Sequence, residues 1–370
     1  MRRIRRNAVL LTGIVSVVAF QTTFAQSSGR FPTATSVLTD VKHKEPKSGV
    51  QLGPGNTLTI QQGVGTPTTI NALSFSADGK LLAAGKDFGR VVVWDVPSRR
   101  VVCAVDGDQG IVHAVALSPD EQFLATAGEG DQFSIKLWHL PDCKLAKTYR
   151  IAHGFVHSLA FGPMSSWLVA ADNAATIYVL NASTGDQILE LKGMLDPLLS
   201  QDGVTLMTTN ETEFDFWRTS DWTKQRTLPR TPRYALPLAL DTQSDRFIAS
   251  SAGMFQLIRI STGEVLPNSP KLPLPKFNTA AGGFAALGTN KPLVFGHSDG
   301  RLWIWDTDSG QTCVSDVMYS ESGALSADGN VLAGAKDSSI LAQHTSPDGV
   351  WLWVTNDLAA KCGLTAGGTR

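Results

Sequence analysis

Seven short stretches of this chain read alike. They are VVVWDVPSRR (91–100), SIKLWHLPDC (134–143), TIYVLNASTG (176–185), EFDFWRTSDW (213–222), MFQLIRISTG (254–263), RLWIWDTDSG (301–310) and GVWLWVTNDL (349–358). Each is an apolar, β-prone run closed by a polar turn. The anchors Trp94, Trp138, Leu180, Trp217, Ile258, Trp305 and Trp353 are spaced 44, 42, 37, 41, 47 and 48 residues apart. A period near 40–45 residues signals one four-stranded sheet per repeat, stacked radially as the blades of a propeller.

Upstream of the anchors a second unit recurs: NALSFSADGKLLAAGKDFGR in the first repeat, HAVALSPDEQFLATAGEGD in the second, GALSADGNVLAGAKD in the seventh. An apolar strand runs into a turn of the Ser-x-Asp-Gly type, with Glu121 in the Gly place of the second repeat, and out into a second strand. Asp bonds its own backbone in such turns, and Gly takes positive φ without a Cβ clash. Small residues in the second strand (Ala83, Ala84, Gly85; Ala125, Thr126; Ala333, Gly334) let neighbouring sheets approach closely. Continuous apolar character fits sheets covered on both faces. The 34 glycines and 18 prolines suit a turn-rich all-β chain.

These residues resemble the WD-repeat family of β-propellers, in an exported, bacterial-type member. The Trp-Asp pair stands at Trp94-Asp95 and Trp305-Asp306. The family's Gly-His dipeptide has its nearest echo in Ala152-His153-Gly154. The resemblance covers roughly residues 57–357 and implies an all-β, seven-bladed propeller of four-stranded antiparallel blades. Because the motif residues are mostly replaced, the family's Asp–His–Ser–Trp hydrogen-bond network is not expected in most blades. In many members an N-terminal strand completes the last blade. Here residues 57–62, alternating and rich in Thr and Ile, suit that role. From Leu358 the chain reads as a short helical tail, stopped at Gly363.

The termini carry further signals. MRRIRR is followed by an uncharged run from Ala8 to Phe20 and then by small residues at Thr23 and Ala25. This is the order of a secretory signal peptide, cut after Ala25, and the run is short of the roughly 20 residues that span a bilayer. Cleavage removes four arginines and no acid, leaving 28 bases against 33 acids, a balance of −5. A mildly acidic surface without a basic patch argues against nucleic-acid binding. Nothing after the signal is apolar enough to insert in a membrane. Residues 26–56 read as a flexible leader. The organisation expected is therefore signal peptide 1–25, leader 26–56, propeller 57–357 and tail 358–370, in a monomeric periplasmic or extracellular protein.

Chemistry is sparse. The four cysteines, Cys103, Cys143, Cys313 and Cys362, form no CxxC or CxxCH. Export permits disulfides, and neighbouring blades make Cys103–Cys143 and Cys313–Cys362 conceivable. The preferred reading is the plainer one, since WD repeats often carry a Cys after the third strand as filler. No GxSxG, Walker loop or dinucleotide glycine motif is present. No cofactor or metal is expected. Gly296-His-Ser-Asp-Gly300 reads as a hairpin turn, because adjacent side chains point apart rather than converge.

One constellation remains. Aligning first strands places Asn71, His113 and His157 at one offset in three consecutive blades, where three hydrogen-bonding side chains line one sector of a face. The plainer reading is inter-blade histidines with no ligand. On the same face lie Asp87, Asp299 and a blade-seven insertion between Lys336 and Val350 with Ile340 and Leu341 at its tip; long loops on a rigid scaffold are common contact sites. The expectation is a non-enzymatic, exported scaffold that binds a protein or peptide there. Two alternatives stand beside it. One is an exported propeller enzyme, lactonase-like or quinone-dehydrogenase-like, with a channel-centred metal or cofactor. The other is a cytoplasmic scaffold that retains residues 1–25.

Overall fold

The computed structural model describes residues 48–50, 56–59 and 69–364, except 107–109, 130–132, 151–152, 232–234, 252–253, 268, 270–284, 288–292, 299–300, 319–321 and 336–348. Its strands fall into seven sheets. Blade one is Ile70–Phe75, Leu81–Lys86, Arg90–Asp95 and Arg100–Asp106, four antiparallel strands in chain order. Blades two, three and four repeat this plan, opening on Val112–Leu117, Val156–Phe161 and Leu195–Leu199. Blades five, six and seven open on Leu236–Asp241, Ala285–Leu287 and Gly323–Leu325. The first strands neighbour one another in unbroken succession, and that of blade seven lies against that of blade one, so the ring closes.

The packing follows from the two-residue period of a strand. In blade one Val91 and Val93 point toward blade two, among Val112, Leu117 and Leu124. Val92 and Trp94 point the other way, among Ala333, Val350 and Leu352 of blade seven. Seven such apolar clusters are found, one per interface, each built from two adjacent sheets. This is why the strands read as unbroken apolar runs: neither face meets water. Close approach sets the small residues. A Cβ on Gly85 would lie 2.6 Å from Val112 Cγ1 of the next blade.

Every Ser-x-Asp turn among the described residues is wired alike. Ser76, Ser118, Ser200 and Ser326 donate to Asp78, Asp120, Asp202 and Asp328 at 2.8, 2.6, 2.6 and 2.6 Å. The same hydroxyls accept the amides of Leu81, Phe123, Thr205 and Val331, each at 2.9 Å. One residue on, Gly79, Gly203 and Gly329 sit at φ near +70°, as this turn requires. Blade two uses Glu121 there, at φ 58°.

The N-terminal strand closes blade seven: Asn56–Thr59 pairs antiparallel with Gly349–Val354, Thr57 opposite Trp351. Within the segment read as a leader, Ser48–Val50 lies parallel to the outer strand of blade six, Thr312–Met318, and gives that sheet five strands. Residues 1–47 lie outside the described residues. The tail's helix spans Thr355–Lys361 and tucks Leu358 and Ala359 against blades six and seven.

The cysteines correct the filler reading. Cys103 is bonded to Cys143 and Cys313 to Cys362, with Cα atoms 5.7 and 5.8 Å apart. The first bond ties the outer strand of blade one to the turn that leads into the outer strand of blade two. The second ties blade six to the residue just after the helix. Sequence spacing could not decide this, because bonding depends on two Cα atoms coming within about 7 Å.

Candidate functional site

A propeller has two ends, and here they differ. At the Ser-x-Asp end the turns crowd the axis. Gln201 of blade four donates to the Ala327 carbonyl of blade seven at 2.6 Å, a bond between blades on opposite sides of the ring. A Cβ on Gly203 of blade four would strike Pro163 of blade three. The other end carries the first-strand starts and the turns between second and third strands.

At that end Asn71, His113 and His157 occupy one structural position. Each is the second residue of its first strand, and each falls at a register shift, where the strand bulges. All three are buried, at 3%, 3% and 2% exposure, so they lie beneath the surface rather than on it. Asn71 donates to Asp87 Oδ1 at 2.8 Å, and the Thr69 amide donates to Asp87 Oδ2 at 3.0 Å. His113 Nε2 lies 3.1 Å from Glu129 Oε1, and the Phe155 ring covers His113 at 4.8 Å. His157 Nδ1 is buried with no hydrogen-bond partner among the described residues. Burial pushes both imidazoles down, His157 to about 4, and leaves them neutral at pH 7.

Sequence reasoning missed the fourth member. Asp196 takes the same offset in blade four, again at a register shift. Pro197 and a φ of 49° at Asp196 disguise the repeat there. Its carboxyl is buried, accepts from Thr209 at 3.1 Å and lies 3.8 Å from Arg230. Burial raises it to about 6, against the pull of Arg230 and Thr209. Of the other residues placed on this face, Asp87 is half-buried, whereas Asp299, Ile340 and Leu341 lie outside the described residues.

Two aromatic residues were not legible as site candidates. Phe88 and Phe133 each stand two residues before the third strand of their blade, at φ 60° and 56°. Both are exposed, at 73% and 37%. The turn backbone turns these rings outward, and no periodicity marks them.

The network named from the family survives in pieces. Trp138 donates to Thr126 at 3.0 Å and Trp217 to Thr208 at 2.9 Å. In blade three Leu180 stands at the Trp position, and Tyr178 two residues earlier carries the polar contacts: its hydroxyl donates to Asp172 at 3.1 Å and meets His153 Nδ1 at 2.7 Å. Burial, with Asp172 beside it, pushes the Tyr178 phenol up to about 12.

The architecture defines an all-β, seven-bladed propeller. Residues 58–95 and 99–139 match the family model "WD domain, G-beta repeat". Each match begins on an outer strand and runs through the three inner strands of the next blade, which is how sequence repeats interlock successive sheets. The chain is similar to pre-mRNA-processing factor 19 homolog 2 of Arabidopsis thaliana, 34% identical over 107 residues, covering 29% of this chain and 19% of that protein. It is also similar to small ribosomal subunit protein RACK1y of Oryza sativa subsp. japonica, 35% over 82 residues, covering 22% and 23%. WD repeat-containing protein 90 of Mus musculus is 25% identical over 159 residues, covering 41% and 8%. The chain spans less than a quarter of the length of each.

Proposed function

We propose that this protein is an exported, non-enzymatic scaffold that holds a protein or peptide partner on the face bearing the first-strand starts. WD-repeat propellers generally act as protein-interaction scaffolds, which supports the general reading. The observation that carries the choice of face is the Gln201–Ala327 bond, which spans the opposite mouth of the ring. A partner is therefore held at the other end, where Asp87 and Glu129 stand over the buried Asn71 and His113. Seven interlocked sheets keep the connecting turns preordered, which lowers the ordering cost of binding. Export is supported by the basic, apolar and small-residue order of residues 1–25 and by two disulfides, which persist in oxidising compartments.

The test is affinity capture from the native host with tagged full-length chain, followed by N-terminal sequencing of the recovered product. A product starting near Gln26, with a stoichiometric partner released by substitutions at Asp87 and Glu129, is expected. Retention of Met1, or recovery of no partner, would overturn the proposal.

A further inference from the structure

The blade-one and blade-two sector of this face has a chemistry of its own. Phe88 and Phe133 are equivalent residues on adjacent blades at the same end of the ring, and both expose their rings. Large rings held outward by left-handed turn backbone are an unfavourable arrangement for a surface without a partner. Next to them stand carboxylates. Glu129 is 45% exposed and uses Oε1 on His113. Burial pushes the His113 imidazole down, so that ring adds no positive charge to the sector at pH 7. Asp87 immediately precedes Phe88. Arg90, exposed in the same turn region, faces Asp106 across the strand pair, so those two offset each other. Lys86 is buried below. Among the described residues the exposed balance of the sector is negative, with two phenyl faces beside it.

We infer that Phe88, Phe133, Glu129 and Asp87 form a docking surface for a peptide segment that alternates apolar and cationic side chains. This rests on the scaffold reading and names its partner's chemistry. A guanidinium or ammonium suits this surface twice over, attracted by the ring faces and by the carboxylates. The apolar neighbours of that cation cover the ring edges that water now meets.

The probe is a fluorescein-labelled octapeptide of alternating leucine and arginine, compared with its leucine–glutamate counterpart by fluorescence anisotropy on the full-length chain. The wild type binds the arginine peptide and not the glutamate peptide. Phe88→Ser with Phe133→Ser weakens binding at least five-fold. Glu129→Gln weakens it about three-fold and flattens its salt dependence. Met164→Ser, exposed on the opposite face, leaves binding unchanged. All four substituted side chains are exposed, and thermal melts confirm folding. Equal binding by the double serine variant, or equal binding of the acidic peptide, overturns the inference. So does self-association that the double variant abolishes, which would give the surface to a second copy of this chain. The scaffold reading fails separately, through wild-type protein that captures no host partner.

Discussion

Ser118 is fully buried in the turn between the first two strands of blade two, and its hydroxyl both donates to Asp120 and accepts the Phe123 amide. Ser118→Ala leaves that amide unpaired, at a cost of about 1–3 kcal/mol. Chemical unfolding of the variant measures it; a loss under half a kilocalorie would show that the turn relaxes freely. His157 supplies a pH signature. Its folded pKa is depressed to about 4 from 6.5, so the unfolded chain takes up the proton first as pH falls. Its contribution is complete above pH 6.5 and is lost as pH drops toward 4, by up to about 3 kcal/mol. Relative to His157→Asn, the wild type therefore loses stability between pH 6.5 and 4; parallel stability curves for the two would refute the burial argument. The alignment of Asn71, His113 and His157 was readable because identical strand geometry puts equal offsets at equal depth. Their burial was not, since a polar residue reads the same whether it faces water or a neighbouring sheet. Phe88 and Phe133 escaped for another reason: each stands alone in a polar turn, Lys86-Asp87-Phe88-Gly89-Arg90 and Asp131-Gln132-Phe133-Ser134, and turn sequence does not say which way a ring faces.

At the scale of the element, each blade's identity was written in its third strand and, in blades one, two and seven, in a Ser-x-Asp turn, where period-two packing and turn chemistry restrict residue choice. Edges were less legible. Ser48–Val50 adds to blade six by parallel backbone pairing, and backbone pairing leaves no side-chain pattern. The two disulfides were likewise open until their strands were placed. Each closes a loop of 40 or 49 residues, and chain entropy assigns such a cross-link about 4 kcal/mol. Replacing Cys313 and Cys362 together by Ser frees the Thr355–Lys361 helix from blade six. The variant is expected to unfold at distinctly lower denaturant, with faster amide exchange in that helix. Unchanged exchange there would mean that Leu358 and Ala359 alone hold the helix.

For the whole molecule, seven apolar clusters among the described residues join the seven sheets, each cluster drawn from two neighbouring blades. Closure therefore governs everything else: an open ring would expose an apolar seam and a strand edge together. Closure is made by the seam of Val92 and Trp94 with Ala333, Val350 and Leu352, and it is reinforced by Asn56–Thr59, brought from far away in sequence to complete blade seven at the outer edge of Gly349–Val354. The most direct measurement is hydrogen exchange by mass spectrometry across blade seven, in the intact chain and in one lacking residues 1–59. The closed ring predicts slow exchange in Gly349–Val354 of the intact chain and a large loss of protection in blades seven and one on truncation. Equal protection in both proteins would contradict it.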